Sequence, residues 1–294
     1  MKKIKQKTVT QRTEHYNGQI DEFQSKMLDY NVEGNLIREE HFNPEGSPVS
    51  IIENEYDAKN KLLHKEIYFV EESTKQSKTY TYENELLTKV KLSYELGGFS
   101  ETNFVYDEKG KVIEESEIDD EDGLQKKITY EYDADDLTQT HKQFDADNQL
   151  ESHIYREKDE NGNQVLLIDK TDAKKIIKAT YSFDAKNKIT GMDVFENDRL
   201  VARDSYSYNE ENNLEIKVQE NFLNRSKSVS EHTYNSEGKL TELKQKVNDH
   251  DFHSTMNTYN EDGVLILCET WDKQGPQGFE VSNSYRHDFL YFEE

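Results

Sequence analysis

The chain of 294 residues has one cysteine, three prolines and no long apolar run. A single cysteine, Cys268, excludes an intrachain disulfide and fits a reducing cytoplasm. No stretch approaches the roughly 20 apolar residues that a bilayer-spanning helix requires. The amino terminus is basic over residues 1–7 but polar over residues 8–18, so the apolar segment of a secretory signal peptide is missing. These absences predict a cytoplasmic protein without a disulfide framework.

Motifs of catalysis and cofactor binding are also missing. The sequence contains no Gly-x-Ser-x-Gly elbow, phosphate-binding glycine loop, Cys-x-x-Cys pair or His-Glu-x-x-His motif. Cys268 lies on the same predicted strand as Trp271. At such a position we expect Cys268 to be a small buried side chain and not a nucleophile. Acidic turns such as residues 119–123 lack the twelfth-position Glu of a calcium loop, and Asp is a preferred turn residue. We therefore predict no catalytic residue, no cofactor and no metal site.

Tyrosine and phenylalanine are abundant, and they recur in register. A Tyr or Phe, then usually Asp or Asn, a short turn and an aliphatic residue repeat about every 25 residues. A mean hydropathy of −1.05 would permit disorder, but periodic aromatics and scarce proline argue against it. A fixed period of this size indicates one supersecondary unit per repeat. The clearest copies begin at Tyr30, Tyr56, Tyr106, Phe183, Tyr208, Tyr234 and Tyr259, and weaker copies at Tyr82, Tyr132, Tyr155 and Tyr285.

Each unit alternates apolar and polar residues, as a strand does. Ile128, Tyr130 and Tyr132 share one parity, which places them on one face. One turn follows each tyrosine, and a second turn brings the chain back, as at residues 95–99 and 275–278. The sequence thus predicts an all-β antiparallel meander of about eleven β-hairpin repeats of about 25 residues.

The predicted sheet is too long to stay flat. Some 22 strands exceed the roughly ten that open twisted sheets hold, so we expect it to coil into an open shell, a barrel-like sheet or a superhelical sheet. Tyrosine should face inward. We expect a single domain over residues 1–294, with an amino-terminal cap at residues 1–29, repeats at residues 30–285 and a carboxyl-terminal cap at residues 286–294.

The repeat resembles that of a known family. The segments from Tyr56 to Leu62, from Phe104 to Val112 and from Thr129 to Asp133 look like divergent copies of the Tyr-Asp (YD) repeat of the RHS family. They are also similar to shorter β-repeats in some bacterial antitoxin-like and cell-surface proteins. In RHS proteins such repeats wind a β-sheet into a hollow shell around a toxin segment, so the resemblance implies a β-shell.

Charge restricts the choice of partner. The chain has 61 acidic and 37 basic residues, a net charge of −24. This charge repels phosphates and anionic lipid, so direct binding to nucleic acid or to a membrane is disfavoured. The charge is explained either by solubility, since a long sheet must avoid edge pairing, or by attraction to a basic partner. Both explanations can hold together.

We expect a non-enzymatic acidic protein-binding module, an inhibitor or immunity-type protein that neutralises a basic protein partner such as a toxin, a nuclease or a defence protein. The alternative is a surface or secreted YD-repeat protein that binds carbohydrate or encloses cargo. Contacts are expected where the repeat breaks, around residues 96–100, 155–167, 250–253 and 271–279. The predicted partner-binding residues are Asp119, Asp120, Glu121, Asp122, Phe99, Trp271 and Phe279, because acidic side chains steer a basic partner and aromatic ones anchor it.

Overall fold

The computed structural model describes residues 3–15, 17–121, 123–172, 174–274 and 279–292. All regular structure in these ranges is β-strand, and among them no helix has the length and apolar character needed to span a bilayer. The strands are β1 Ile4–Glu14, β2 Ile20–Tyr30, β3 Leu36–Phe42, β4 Pro48–Tyr56, β5 Leu62–Phe69, β6 Thr74–Glu83, β7 Leu86–Tyr94, β8 Phe99–Tyr106, β9 Val112–Asp119, β10 Leu124–Tyr132, β11 Thr138–Asp145, β12 Leu150–Lys158, β13 Gln164–Asp172, β14 Lys175–Phe183, β15 Ile189–Glu196, β16 Arg199–Tyr208, β17 Leu214–Asn221, β18 Ser226–Tyr234, β19 Leu240–Val247, β20 His250–Tyr259, β21 Leu265–Gln274 and β22 Phe279–Tyr291.

The 22 strands form one closed antiparallel sheet. Each strand pairs with the next along the chain, and β22 pairs with β1 to close the circle. This seam sets Thr8 opposite Asp288 and Thr10 opposite Arg286. Closure leaves no free strand edge, which is where long sheets otherwise associate. The prediction of an all-β meander of eleven hairpins is confirmed, and the coil is a closed barrel.

The barrel is hollow. Its accessible surface is 18548 Å², whereas a compact monomer of 34.6 kDa exposes about 13,000 Å². A flattened sandwich would bury the inner face of its sheet, so the opposite walls of this barrel do not pack together. At ~4.8 Å per strand, the circumference across the strands is about 105 Å. The described residues that are buried number five, namely Val9, Ala179, Val201, Asp204 and Ser230.

The tyrosine face of the sheet points into the barrel. Tyr206 and Tyr208 are partly covered, whereas their neighbours Ser205 and Ser207 are exposed. Side chains crowd on the concave side of a curved sheet and spread on its convex side, so the less exposed parity is the inner one. By strand register, four of the five buried residues also share the tyrosine face, as Asp204 does in β16. The burial pattern therefore supports the predicted inward orientation of the tyrosines.

The Asp or Asn that follows most of the motif tyrosines builds the turn. Asp57 Oδ1 accepts hydrogen bonds from the backbone N–H groups of Lys59 and Lys61, both at 2.8 Å. Asn60 lies in the same turn, three residues after Asp57. Its φ is 65°, in the left-handed region that Asn and Gly tolerate. The same pattern produces the same turn at Asp107, Asp159 and Asp184. Tyr82, in contrast, is followed by Glu83 and a shorter turn.

The tyrosine itself ties each hairpin to the one before. Its hydroxyl donates a hydrogen bond to the carbonyl of an aliphatic residue 19 or 20 positions earlier in the chain. A lysine from the preceding turn often lies over the ring, as Lys61 lies 4.9 Å from the Tyr82 centroid and Lys111 4.8 Å from that of Tyr132. The bonds join Tyr56 to Leu36, Tyr82 to Leu62, Tyr106 to Leu87, Tyr132 to Val112, Tyr208 to Ile189, Tyr234 to Leu214 and Tyr259 to Leu240.

These tyrosines define one end of the barrel, which we call the motif rim. Each even-numbered strand reaches this rim at its last or, in β6, penultimate residue, and we call that position a rung. The sequence placed weak copies of the motif at Tyr155 and Tyr285, and this was wrong. Tyr155 lies inside β12 on the outward face, and Tyr285 lies in the middle of β22. The rungs are Tyr30, Tyr56, Tyr82, Tyr106, Tyr132, Lys158, Phe183, Tyr208, Tyr234, Tyr259 and Tyr291.

The aspartates in the turns should make the stability of the fold depend on pH in the acidic range. Backbone N–H groups at Thr138 and Lys188 lower the pKa of Asp133 and Asp184, and the Asn163 side-chain amide lowers the pKa of Asp159. A lowered pKa stabilises the fold above the ordinary carboxyl range, and this stability is lost as pH falls through the folded-state pKa. We expect the unfolding temperature to drop below about pH 4.

The matched variant replaces all three aspartates with asparagine. Asn209 forms the equivalent turn, accepting from the N–H of Asn213 at 2.8 Å, so the turns should survive the change. The variant should lose less stability than the wild type between pH 6 and pH 3, as thermal melts would record. An acid response equal to that of the wild type would rule out the contribution of these turns.

Candidate functional site

The end of the barrel away from the motif rim carries most of the exposed apolar side chains. We call it the opposite rim; it consists of the tips that join each odd-numbered strand to the next even-numbered one. Of fifteen exposed large hydrophobic residues among the described ones, nine lie at or beside these tips. Clustered exposure of this kind marks interaction surfaces in soluble proteins. The nine are Ile20, Tyr94, Leu96, Leu124, Leu150, Ile176, Phe222, Leu223 and Phe252.

Four consecutive tips combine these apolar side chains with acidic ones, and the fourth tip also carries the exposed lysines Lys174 and Lys175. The four tips are residues 94–98, 120–124, 146–150 and 172–176, and we call them the acidic arc. Leu96 is 90% exposed and Leu150 48%. In the part of the arc that the structure describes, the apolar members are Tyr94, Leu96, Leu124, Leu150 and Ile176, and the exposed acidic members are Glu95, Asp120, Glu121, Asp147 and Asp172.

Hydrogen bonds between neighbouring hairpins hold these tips in place. Asp120 Oδ1 accepts from the N–H of Phe99 at 2.9 Å, and Glu95 Oε2 accepts from the N–H of Lys75 at 2.7 Å. The approach at Asp120 is close, because a Cβ on Gly98 would lie 3.3 Å from Asp120 Oδ1. The arc is thus a preorganised surface, and part of the role of Asp120 is structural.

The structure brings together the first group of predicted contact residues. Phe99 begins β8, Asp119 ends β9, and Asp120 links the two hairpins. Asp119 Oδ1 also accepts from the N–H of Glu121 at 3.1 Å. The Phe99 ring has Lys91 Nζ 4.1 Å from its centroid, so it is already partly covered. Asp122 lies outside the described residues.

The second predicted group lies elsewhere on the same rim. Trp271 is on β21, nine strands from β8 by the shorter way round, or about 40 Å along the sheet. It lines a cavity of about 290 Å³ together with Phe252 and His253. His253 is fixed by Asp272 Oδ1 at 2.6 Å from Nδ1 and by Thr255 Oγ1 at 2.8 Å from Nε2. The side chain of Phe279 lies outside the described residues, and Trp271 cannot share one small contact with Asp120.

Sequence reasoning included Leu96 in a candidate contact segment but missed the other aliphatic members of the arc. Leu124 and Leu150 are the first residues of β10 and β12, and Ile176 is the second residue of β14. In the sequence these three residues continue the alternation of apolar and polar residues along a strand, and this pattern predicts that they are buried. All three are exposed at the rim, at 38% for Leu124, 48% for Leu150 and 40% for Ile176. The available signal was their position directly after an acidic turn.

Groups with catalytic or metal-binding potential are dispersed. In the described ranges no three His, Cys, Asp or Glu side chains lie close enough together to hold a metal ion. Cys268 lies on the inner face opposite Asn257, and burial raises the pKa of its thiol. A raised pKa keeps the thiol protonated and therefore a poor nucleophile.

No family model and no curated protein matches the chain. Solved structures give distant likenesses. A porin-like protein from Bacteroides uniformis ATCC 8492 aligns over 98% of both chains with 9% identity and a TM-score of 0.29. TcdB2-TccC3 without its hypervariable C-terminal region aligns over 93% of this chain with 11% identity and a TM-score of 0.37. This chain spans 18% of the length of that protein. The hairpin repeat is shown by the fold itself, and the RHS family remains a resemblance of the motif.

Proposed function

We propose that the chain is a non-enzymatic protein-binding module whose acidic arc captures a basic protein partner, in the manner of an inhibitor or immunity protein. The observation that carries the proposal is the acidic arc. Its exposed aliphatic side chains alternate with carboxylates over four consecutive hairpins. A closed sheet has no free edge, so it does not need these carboxylates to prevent edge pairing. The need for solubility also does not explain the exposed aliphatic side chains.

The two kinds of side chain serve different steps of binding. Carboxylates at the edge of an interface raise the association rate for a partner of opposite charge. Exposed aliphatic groups such as Leu96 and Leu150 lose water on contact and slow dissociation. A basic protein with an apolar patch beside its cationic groups matches both.

The test uses partners captured by the immobilised protein and then purified. We expect a partner with a basic isoelectric point, whose association rate falls steeply as salt rises and the Debye length shrinks from about 10 Å to about 3 Å. Stopped-flow or surface-binding kinetics would measure it. An acidic partner, or an association rate that ignores salt, would leave the net charge as a solubility feature and exclude this function.

Matched variants locate the contact. Glu121→Gln with Asp147→Asn should lower the association rate, whereas Leu96→Ser with Leu150→Ser should raise the dissociation rate. Asp120 is left intact because it holds Phe99. The control variants lie on the same rim but outside the arc. Asp198→Asn with Asp249→Asn controls for the loss of two negative charges. Leu223→Ser controls for the loss of an exposed aliphatic side chain, since Leu223 is 57% exposed. Equal effects from arc and control variants would place the contact elsewhere.

A second candidate function is enclosure of cargo by a surface or secreted protein, and the hollow lumen favours it. The inner face offers Cys268 as a single chemical probe. At alkaline pH, where the thiolate forms despite its raised pKa, small maleimides should label Cys268 in the empty barrel, and bound cargo should protect it. Protection by a captured protein that withstands Leu96→Ser with Leu150→Ser would favour enclosure over capture at the arc. If the protein binds carbohydrate, we expect the sugar to bind in the cavity that Trp271 lines.

A further inference from the structure

One position interrupts the aromatic ladder of the motif rim. Ten of the eleven rungs are Tyr or Phe, and the exception is Lys158 at the end of β12. The turn before it is also irregular. In β10 and β11 the pairing continues without a shift to Tyr132 and Gln139, whereas the corresponding pair of β4 and β5 shifts register at Tyr56. Two departures from the repeat thus lie in adjacent hairpins.

A cavity of about 330 Å³ lies at this interruption. Tyr132, the preceding rung, forms one wall, and its hydroxyl donates to the carbonyl of Val112 at 2.9 Å. Gln139 Nε2 donates to the same hydroxyl at 3.3 Å. Val112 and Leu137 add apolar surface, while Arg156 and Lys158 line the side from which the aromatic rung is missing.

The charge of the cavity is opposite to that of the chain. Its lining contains three cations and one carboxylate. Lys111 forms an ion pair with that carboxylate, Asp136. Arg156 and Lys158 form no ion pair or side-chain hydrogen bond with any described residue. Burial, followed by the charge of Arg156, lowers the pKa of neighbouring His141, while the charge of Glu115 acts in the opposite direction.

We propose that this cavity binds a small aromatic anion, an aryl phosphate or aryl carboxylate, whose ring occupies the space of the missing rung and whose anionic group meets Arg156 and Lys158. Tyr132, Val112 and Leu137 supply the apolar contact for the ring. A guanidinium binds phosphate or carboxylate oxygens through two parallel hydrogen bonds, and the ammonium of Lys158 adds a second positive charge. The site lies on the motif rim, at the other end of the barrel from the acidic arc, and it does not depend on protein capture.

The test titrates the full chain with phenyl phosphate by calorimetry and by NMR of the histidine imidazoles. We expect saturable binding to one site. Benzoate should also bind, whereas inorganic phosphate and benzyl alcohol should each bind at least about tenfold more weakly, because each lacks one of the two recognised features. The pKa of His141 should rise on binding, since the anion neutralises Arg156. Equal affinity for inorganic phosphate would overturn the aromatic part of the proposal.

Two variants test the cavity in different ways. Arg156→Gln should weaken phenyl phosphate binding by about tenfold or more, whereas Arg199→Gln, an exposed arginine on the opposite rim, should leave it unchanged. Lys158→Tyr restores an aromatic rung, so it should abolish binding and raise the unfolding temperature. Circular dichroism would verify the fold of each variant. Wild-type affinity in either Arg156→Gln or Lys158→Tyr would refute the site.

Discussion

Replacing Thr8 with proline is expected to open the barrel. Thr8 lies in the middle of β1, with Met27 of β2 on one side and Asp288 of β22 on the other. Proline removes a backbone donor from the sheet ladder and is therefore confined to edge strands and bulges, whereas β1 has a paired neighbour on both sides. The seam is the one place where distant parts of the chain close the circle, so its loss exposes two long strand edges.

The measurement combines thermal unfolding with size-exclusion chromatography and light scattering over a range of concentrations. Thr8→Pro should melt earlier and form concentration-dependent oligomers through the freed edges of β1 and β22. Thr8→Ala keeps the backbone donor and is the matched control, with an expected loss within about 0.5 kcal/mol. A monomeric Thr8→Pro variant with an unchanged melting temperature would show that the seam does not hold the barrel together.

The second large effect is expected at the tyrosine rungs. Tyr208→Ala should cost about 2 to 5 kcal/mol, because it removes the ring from the crowded inner face together with a hydroxyl that donates to Ile189 O at 2.8 Å. Tyr208→Phe should cost about 1 kcal/mol, the typical contribution of one hydrogen bond. Phe183 is a natural rung without the hydroxyl, so the ring alone is compatible with the fold.

The control for the rung is its outward neighbour. Ser207 is exposed on the convex face, and Ser207→Ala should change the free energy of unfolding by no more than about 0.5 kcal/mol. Urea denaturation of the three variants would measure the differences. If Tyr208→Ala and Ser207→Ala were equally costly, the assignment of inner and outer faces would be wrong.

The hollow barrel explains why these rungs carry so much of the stability. No described large side chain is fully buried, so a central core is missing and each hairpin depends on contacts with its two neighbours. This arrangement makes stability a sum of nearest-neighbour terms, as in other repeat proteins. Closure then turns the linear array into a ring, in which β1 and β22 are neighbours as well.

The candidate site was only partly predictable. Asp120 and Phe99 were selected from an acidic turn and a break in the repeat, and the structure joins them through one hydrogen bond. Trp271 was selected for the same kind of break, yet it lies on a different sector of the rim. Sequence distance does not report position around a barrel until the number of strands and the closure are known. Leu150 and Ile176 were missed because exposure at a rim is not visible in strand alternation.

The sequence by itself determined the hairpin unit, the two faces of its strands and the turn chemistry, because each depends on residues close together in the chain. Asp57 and Asn60 form one turn from neighbouring residues, and alternation alone places Tyr206 and Tyr208 on one face. Only the tertiary structure decided that β1 meets β22 and that Lys158 occupies a rung. It also decided that the lumen stays open. Closure depends on twist accumulated over all 22 strands, and no local period encodes that sum.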